Sequence, residues 1–93
     1  MKLRYTRTAL RQIDSTLDYI ASRSPQGARS VNKRIITAFA LIQEYPQAGQ
    51  MTSRDGYRRL VLTPYPYVIF YRVTADEIVI SRFRHAAQRP ASS

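Results

Sequence analysis

The sequence predicts an α+β fold of order β-α-α-β-β-β, an antiparallel sheet packed on a helical hairpin. Three observations carry this. Apolar residues in the first half recur at spacings of three and four, those after Gly56 alternate with a period of two, and the two patterns are segregated along the chain. At 93 residues there is room for one core, so residues 1–93 are read as a single domain.

Residues 2–6 (KLRYT) set Leu3 and Tyr5 against Lys2, Arg4 and Thr6, the alternation of a short strand. Thr6 or Thr8 then supplies an N-cap for a helix over 7–23, whose apolar stripe is Leu10, Ile13, Leu17 and Ile20. Arg11, Asp14 and Asp18 lie off that stripe, as a solvated face does. Ser24-Pro25 starts a second helix over 25–45, with Ser at the cap and Pro in the first turn, where its missing N–H is no loss. Its stripe of Ala28, Val31, Ile35, Ala38, Phe39 and Ile42 is widened by Ile36 and Leu41, which predicts burial on two sides. Pro46 ends it, since the residue before proline is biased out of the α region.

Residues 46–55 are polar, hold Gly49 and lack periodicity, so they predict a loop. Three antiparallel strands follow, at 57–63, 67–73 and 77–85. In the first, Arg58, Leu60 and Leu62 share a face. Pro64 and Pro66 cannot donate to a ladder and belong to the turn after it. YVIFYRV is apolar enough to be central. In the last strand, period two places Ile78, Ile80, Arg82 and Arg84 on one face and Val79, Ser81, Phe83 and His85 on the other. Residues 86–93 form a tail.

The formal net charge is +9, with nine basic and four acidic residues before Gly56 and six and two from there on. A field spread over both halves favours acidic partners, nucleic acid or an acidic protein segment. The bias toward arginine (only Lys2 and Lys33 are lysines) also fits a purely compositional origin. There is no cysteine and one histidine, which excludes thiolate chemistry and disulfides; no metal or cofactor is expected. No apolar run reaches the roughly 18 residues of a membrane span, and the N-terminus lacks the apolar core of a signal peptide, so a soluble cytoplasmic protein is the expectation.

In their order and spacing, TALRQIDSTLDYIASRSPQGA, YPQAGQ, GYRRLVL, YVIFYRV and EIVISRFRHAAQRP resemble the RelE/ParE superfamily of type II toxin–antitoxin toxins along nearly the whole chain. The RelE-like branch consists of ribosome-dependent mRNA endoribonucleases, and RNA cleavage needs a base, an acid and cations for the phosphorane. That branch supplies them with lysines, arginines and a C-terminal His or Tyr pair. Here no lysine follows Lys33, Tyr67-Val68-Ile69 stands where a catalytic arginine belongs, and no tyrosine follows His85. A nuclease would have to be built from Arg72, Arg82, Arg84 and His85. The ParE-like branch, similar in YRV and in a histidine closely followed by arginine (His85 and Arg89), poisons DNA gyrase by binding, and is the preferred reading.

The resemblance implies a cognate antitoxin, ParD-like or similar, whose acidic C-terminal segment folds onto the toxin. Leu10, Ile13, Leu17, Tyr71 and Phe83 are the candidate antitoxin contacts. Arg58, Arg59, Arg82, Arg84, His85 and Arg89 are the candidate target contacts, with gyrase, or alternatively ribosome and mRNA, as the target. Tyr57, Tyr65, Tyr67 and Tyr71 could stack bases, although half-buried packing with a wet hydroxyl is the commoner use of such tyrosines. A basic binding module without toxicity is the remaining alternative.

Overall fold

The computed structural model describes residues 1–87; Arg89 and most of the expected tail lie outside them. The elements are β1 (Lys2–Tyr5), α1 (Arg7–Ala21), α2 (Pro25–Glu44), β2 (Gln50–Met51), β3 (Tyr57–Val61), β4 (Tyr67–Val73) and β5 (Glu77–His85). They form two helices against one face of a sheet ordered β1-β5-β4-β3-β2.

Both helices start where their caps direct. Thr6 Oγ1 accepts from the Ala9 N–H at 3.0 Å, and Ser24 Oγ accepts from the Gly27 N–H at 2.9 Å. The first helix stops two residues short of the expected end, where the Ser22 and Arg23 amides turn back onto Asp18 and Ile20 carbonyls. Its buried line is Ala9 and Ile13, with Leu17 and Ile20 half-buried; Leu10 sits one position off that line and is exposed. Val31, Ile35, Ala38 and Ile42 of α2 are buried, whereas Ile36 and Leu41 are exposed. The second helix thus packs on α1 and the sheet through the narrower stripe alone, and Ile36 and Leu41 do not widen it.

The sheet is mixed. β3, β4 and β5 form the antiparallel meander, but β1 pairs parallel to β5, Leu3 opposite Ile78 and Tyr5 opposite Ile80. The expected loop at 46–55 contains β2, which pairs antiparallel to β3. β3 and β5 both run antiparallel to β4 and hence in the same sense as β1. The third strand ends at Val61 rather than at 63, where a cis Thr63–Pro64 bond enters the turn, though the Leu62 amide still donates to Tyr67 O.

The core lies between the helices and the sheet: Ile13, Ile35 and Ile42 meet Leu62, Ile69, Tyr71, Ile78, Ile80 and Phe83. Each fully buried isoleucine or phenylalanine contributes about 1.5–3 kcal/mol of transfer free energy. Ile78, Ile80 and Phe83 cannot share a face under strict alternation. They do so because the register of β5 shifts: Phe70 opposes Arg82 while Tyr71 opposes Ile80, leaving Ser81 as an extra residue. This β-bulge is pinned from both sides. Ser81 Oγ donates to Phe70 O at 3.1 Å, and Thr6 Oγ1 donates to Ser81 O at 3.0 Å.

Candidate functional site

The bulge decides where the arginines go. Residues directly paired across antiparallel strands point to the same side. Leu60, Ile69 and Phe83 lie toward the helices, so Arg59, Phe70 and Arg82 form a row on the opposite, helix-free face. Tyr57, Arg72 and Val79 make a second row, continued by Arg4 of β1, and Val61, Val68 and Arg84 make a third. The expectation that Arg82 and Arg84 share a face with Ile78 and Ile80 is therefore corrected. The extra residue at Ser81 rephases the strand, sends Phe83 inward and turns both arginines outward.

This open face is layered. Val68 and Val79 are buried (2% and 4% exposed), yet neither belongs to the core between helices and sheet. Their cover comes from flanking side chains on a face that carries no helix. Arginine stems lying over apolar floor while the guanidinium groups reach water account for it. Arg54 and Arg72 stand over the ring of Tyr57 at 4.4 and 6.0 Å. The Thr52–Arg54 segment overhangs as a wall, and the groove beneath it is lined by Arg59, Val68, Phe70 and Arg84. The wall is held by Thr52, whose amide and hydroxyl donate to Tyr57 O, and by the turn into β3, where Gly56 takes φ of +79°.

Little acid balances this face. Arg4 Nε donates to Glu77 Oε1 at 2.9 Å, the one ion pair among the described residues. Asp55 and Asp76 sit in the turns at one end. Arg59, Arg72, Arg82 and Arg84 are left to project their charge into solvent. Among the described residues no group of histidine, cysteine and carboxylates could hold a metal ion.

The remaining candidate residues divide by location. Arg58 points to the helix side, opposite Tyr71, and donates to Gly49 O at 2.8 Å; it ties down a loop. His85 also falls on the helix side. It packs edge-on against Tyr67 (5.5 Å between centroids), and its Nδ1 accepts from the Ala87 N–H at 3.0 Å. The ring borders a cleft with Arg11, Gln12, Ser15 and Thr16 and reaches the rim of the open groove with Ala86. Arg72, Arg82 and Arg84 thus project from the open face, and His85 meets that face only at its rim.

Of the expected antitoxin contacts, Leu10 is exposed and Leu17 half-buried, while Ile13, Tyr71 and Phe83 are buried in the core and present no surface to a docked partner. Tyr71 has a different task. Its hydroxyl accepts from the Gly49 N–H at 2.8 Å and donates to Pro46 O at 2.7 Å, clamping the chain between α2 and β2. Burial pushes its phenol above the ordinary value of 10.0, partly opposed by the Gly49 hydrogen bond and by Arg58.

Sequence reasoning missed Arg4, Arg54 and Phe70. The signal for the row containing Phe70 was present: apolar residues at 78, 80 and 83 break alternation, the mark of one inserted residue.

Two helices over one face of a mixed sheet, with an arginine-dense face left open, define a small basic α+β domain with one exposed binding face. A family model described as "ParE toxin of type II toxin-antitoxin system, parDE" matches residues 3–90. The chain belongs to that family, and is a type II toxin–antitoxin toxin of the RelE/ParE superfamily. It is 38% identical over 88 residues to Y4kP of Sinorhizobium fredii, covering 95% of this chain and 91% of that protein. It is likewise 38% identical over 84 residues to Toxin RelE2 of Caulobacter vibrioides, covering 90% and 93%. Its fold matches a chain of the chromosomal ParDE toxin–antitoxin system from P. aeruginosa with a TM-score of 0.81 and 27% identity, covering 91% of this chain and 95% of that one. No helix among the described residues is long and apolar enough to cross a membrane.

Proposed function

We propose that this toxin is ParE-like in action: in the cytoplasm it binds and poisons DNA gyrase, and a cognate antitoxin neutralises it. The observation that supports binding over catalysis is that His85 meets the arginine face only at its rim, from the helix side. RNA cleavage needs an acid or base within hydrogen-bond reach of the scissile phosphate that the cations hold. The histidine reaches that face only at the rim with its Nδ1 accepting from the Ala87 N–H, and the Tyr57 phenol of the face lies beneath Arg54. The antitoxin would bring an acidic C-terminal segment that folds on binding, with the exposed Leu10 and half-buried Leu17 of α1 as part of its dock. Such binding would also stabilise a small domain by mass action.

The likeness to Toxin RelE2 favours a second reading, a RelE-type mRNA endoribonuclease. The deciding experiment expresses the chain inducibly without its neighbouring gene and assays gyrase supercoiling and cleavage complexes beside cell-free translation. Lost supercoiling with intact mRNA, unchanged by His85→Ala, is the expected result. Codon-positioned mRNA cleavage abolished by that substitution overturns the binding reading, and no growth effect at all points to a non-toxic binding module.

A further inference from the structure

The open face has the chemistry of a phosphodiester site. A surface that tracks nucleic acid carries cations that meet successive phosphates. Here Arg59 of β3 and Arg82 and Arg84 of β5 flank β4 under the overhang of Thr52–Arg54, and Arg72 of β4 stands in the next row. None of the four makes an ion pair among the described residues. Guanidinium groups suit phosphate because each offers several donors in a planar fork. Arg59 and Arg84 line the groove with Val68 and Phe70, an apolar floor that leaves the guanidinium heads the solvent side of the sheet.

We propose that this face grips the sugar–phosphate backbone of duplex DNA. This rests on the gyrase reading, since gyrase holds a DNA segment while it acts, and it makes the toxin touch the DNA as well as the enzyme. The contact is with backbone rather than base edges. The Tyr57 ring is occupied by Arg54, and Phe70 is half-buried, so neither is a free stacking platform. Binding should consequently depend on salt and little on sequence.

The test uses the full chain with a labelled duplex oligonucleotide, and a single-stranded RNA of equal length beside it, in anisotropy titrations at several salt concentrations. Replacing Arg59, Arg82 and Arg84 together by Gln is expected to weaken duplex binding at least about tenfold at about 50 mM salt. It should also reduce the slope of log K against log salt by roughly 2.7, at about 0.9 per phosphate contact. A charge-matched control replaces the exposed helix-side residues Arg7, Arg29 and Lys33 by Gln and should change affinity by less than about twofold if the open face is the site. The corresponding triple Arg→Lys variant should keep the salt slope, which separates lost charge from lost folding. Equal losses from both triple Gln variants, no duplex binding by the wild-type chain, or tighter binding of the RNA than of the duplex would each overturn the proposal. Gyrase poisoning by the open-face triple Gln variant at wild-type strength would overturn it too. Duplex binding that survives while gyrase is unaffected refutes the gyrase reading and leaves the site standing.

Discussion

Replacing Tyr71 by Phe should cost this domain a large share of its stability while leaving its shape intact. The ring stays buried, so the apolar contacts of the core are kept, and only the hydroxyl is lost. That hydroxyl makes two hydrogen bonds, from the Gly49 amide at 2.8 Å and to the Pro46 carbonyl at 2.7 Å. The Gly49 N–H is buried in that contact, and a buried donor without a partner costs about 1–3 kcal/mol; the Pro46 carbonyl is nearer solvent and loses about 0.5–1 kcal/mol. Removing the phenol oxygen from the core returns part of its own desolvation cost, so a net loss of roughly 2 kcal/mol follows. For a domain of this size each kcal/mol moves Tm by about 4–8 °C, which gives a fall of roughly 8–16 °C. Thermal and urea unfolding followed by circular dichroism measures it, with Tyr19→Phe as the control because Tyr19 is 60% exposed. The urea slope should be unchanged, since the buried area is unchanged. A Tm loss of under about 3 °C, less than 1 kcal/mol, would show that the 46–51 segment is held by something other than this phenol.

Two further outcomes follow from the same corner. Gly49→Ala should destabilise by at least about 2 kcal/mol, seen as a lower urea midpoint, because its Cβ would stand 2.7 Å from both the Arg59 carbonyl and the Tyr71 hydroxyl. The neutral phenol of Tyr71 is favoured in the folded state, so its contribution to stability is complete below about pH 10 and is lost as pH rises toward its higher folded value. Tyr71→Phe should therefore flatten the alkaline loss of stability, and phenolate absorbance should show a late-titrating component that this substitution removes.

Much of the fold was legible because its signals are local. Thr6 and Ser24-Pro25 announce helix starts through cap chemistry, and the prolines at 64 and 66 close a strand by lacking donors. What escaped are features that depend on distant partners. The parallel pairing of β1 with β5 joins residues 75 positions apart, and nothing in KLRYT specifies its neighbour. β2 is two residues long and exists because β3 offers an edge. Tyr71 reads from the sequence as an antitoxin contact or as half-buried packing with a wet hydroxyl, because that hydroxyl's partners, Gly49 and Pro46, lie in a segment without periodicity. The candidate site was half legible. Arg59, Arg82 and Arg84 were singled out, but their common face was obscured by a phase change of one residue, and Arg58 and His85 were grouped with them although both lie on the helix side.

That single inserted residue has a consequence for comparing this toxin with its relatives. The last strand is two short strands in opposite phase, joined at Ser81, and each half keeps its own inward positions. A relative shorter by one residue there would present the side chains equivalent to Arg82 and Arg84 to its helices. Its Phe83 equivalent would turn to solvent, even if every letter around the gap were the same. Positions in this strand are therefore comparable between relatives only when counted outward from the phenylalanine that reaches the core, and a matching arginine in the wrong phase is a different residue in physical terms.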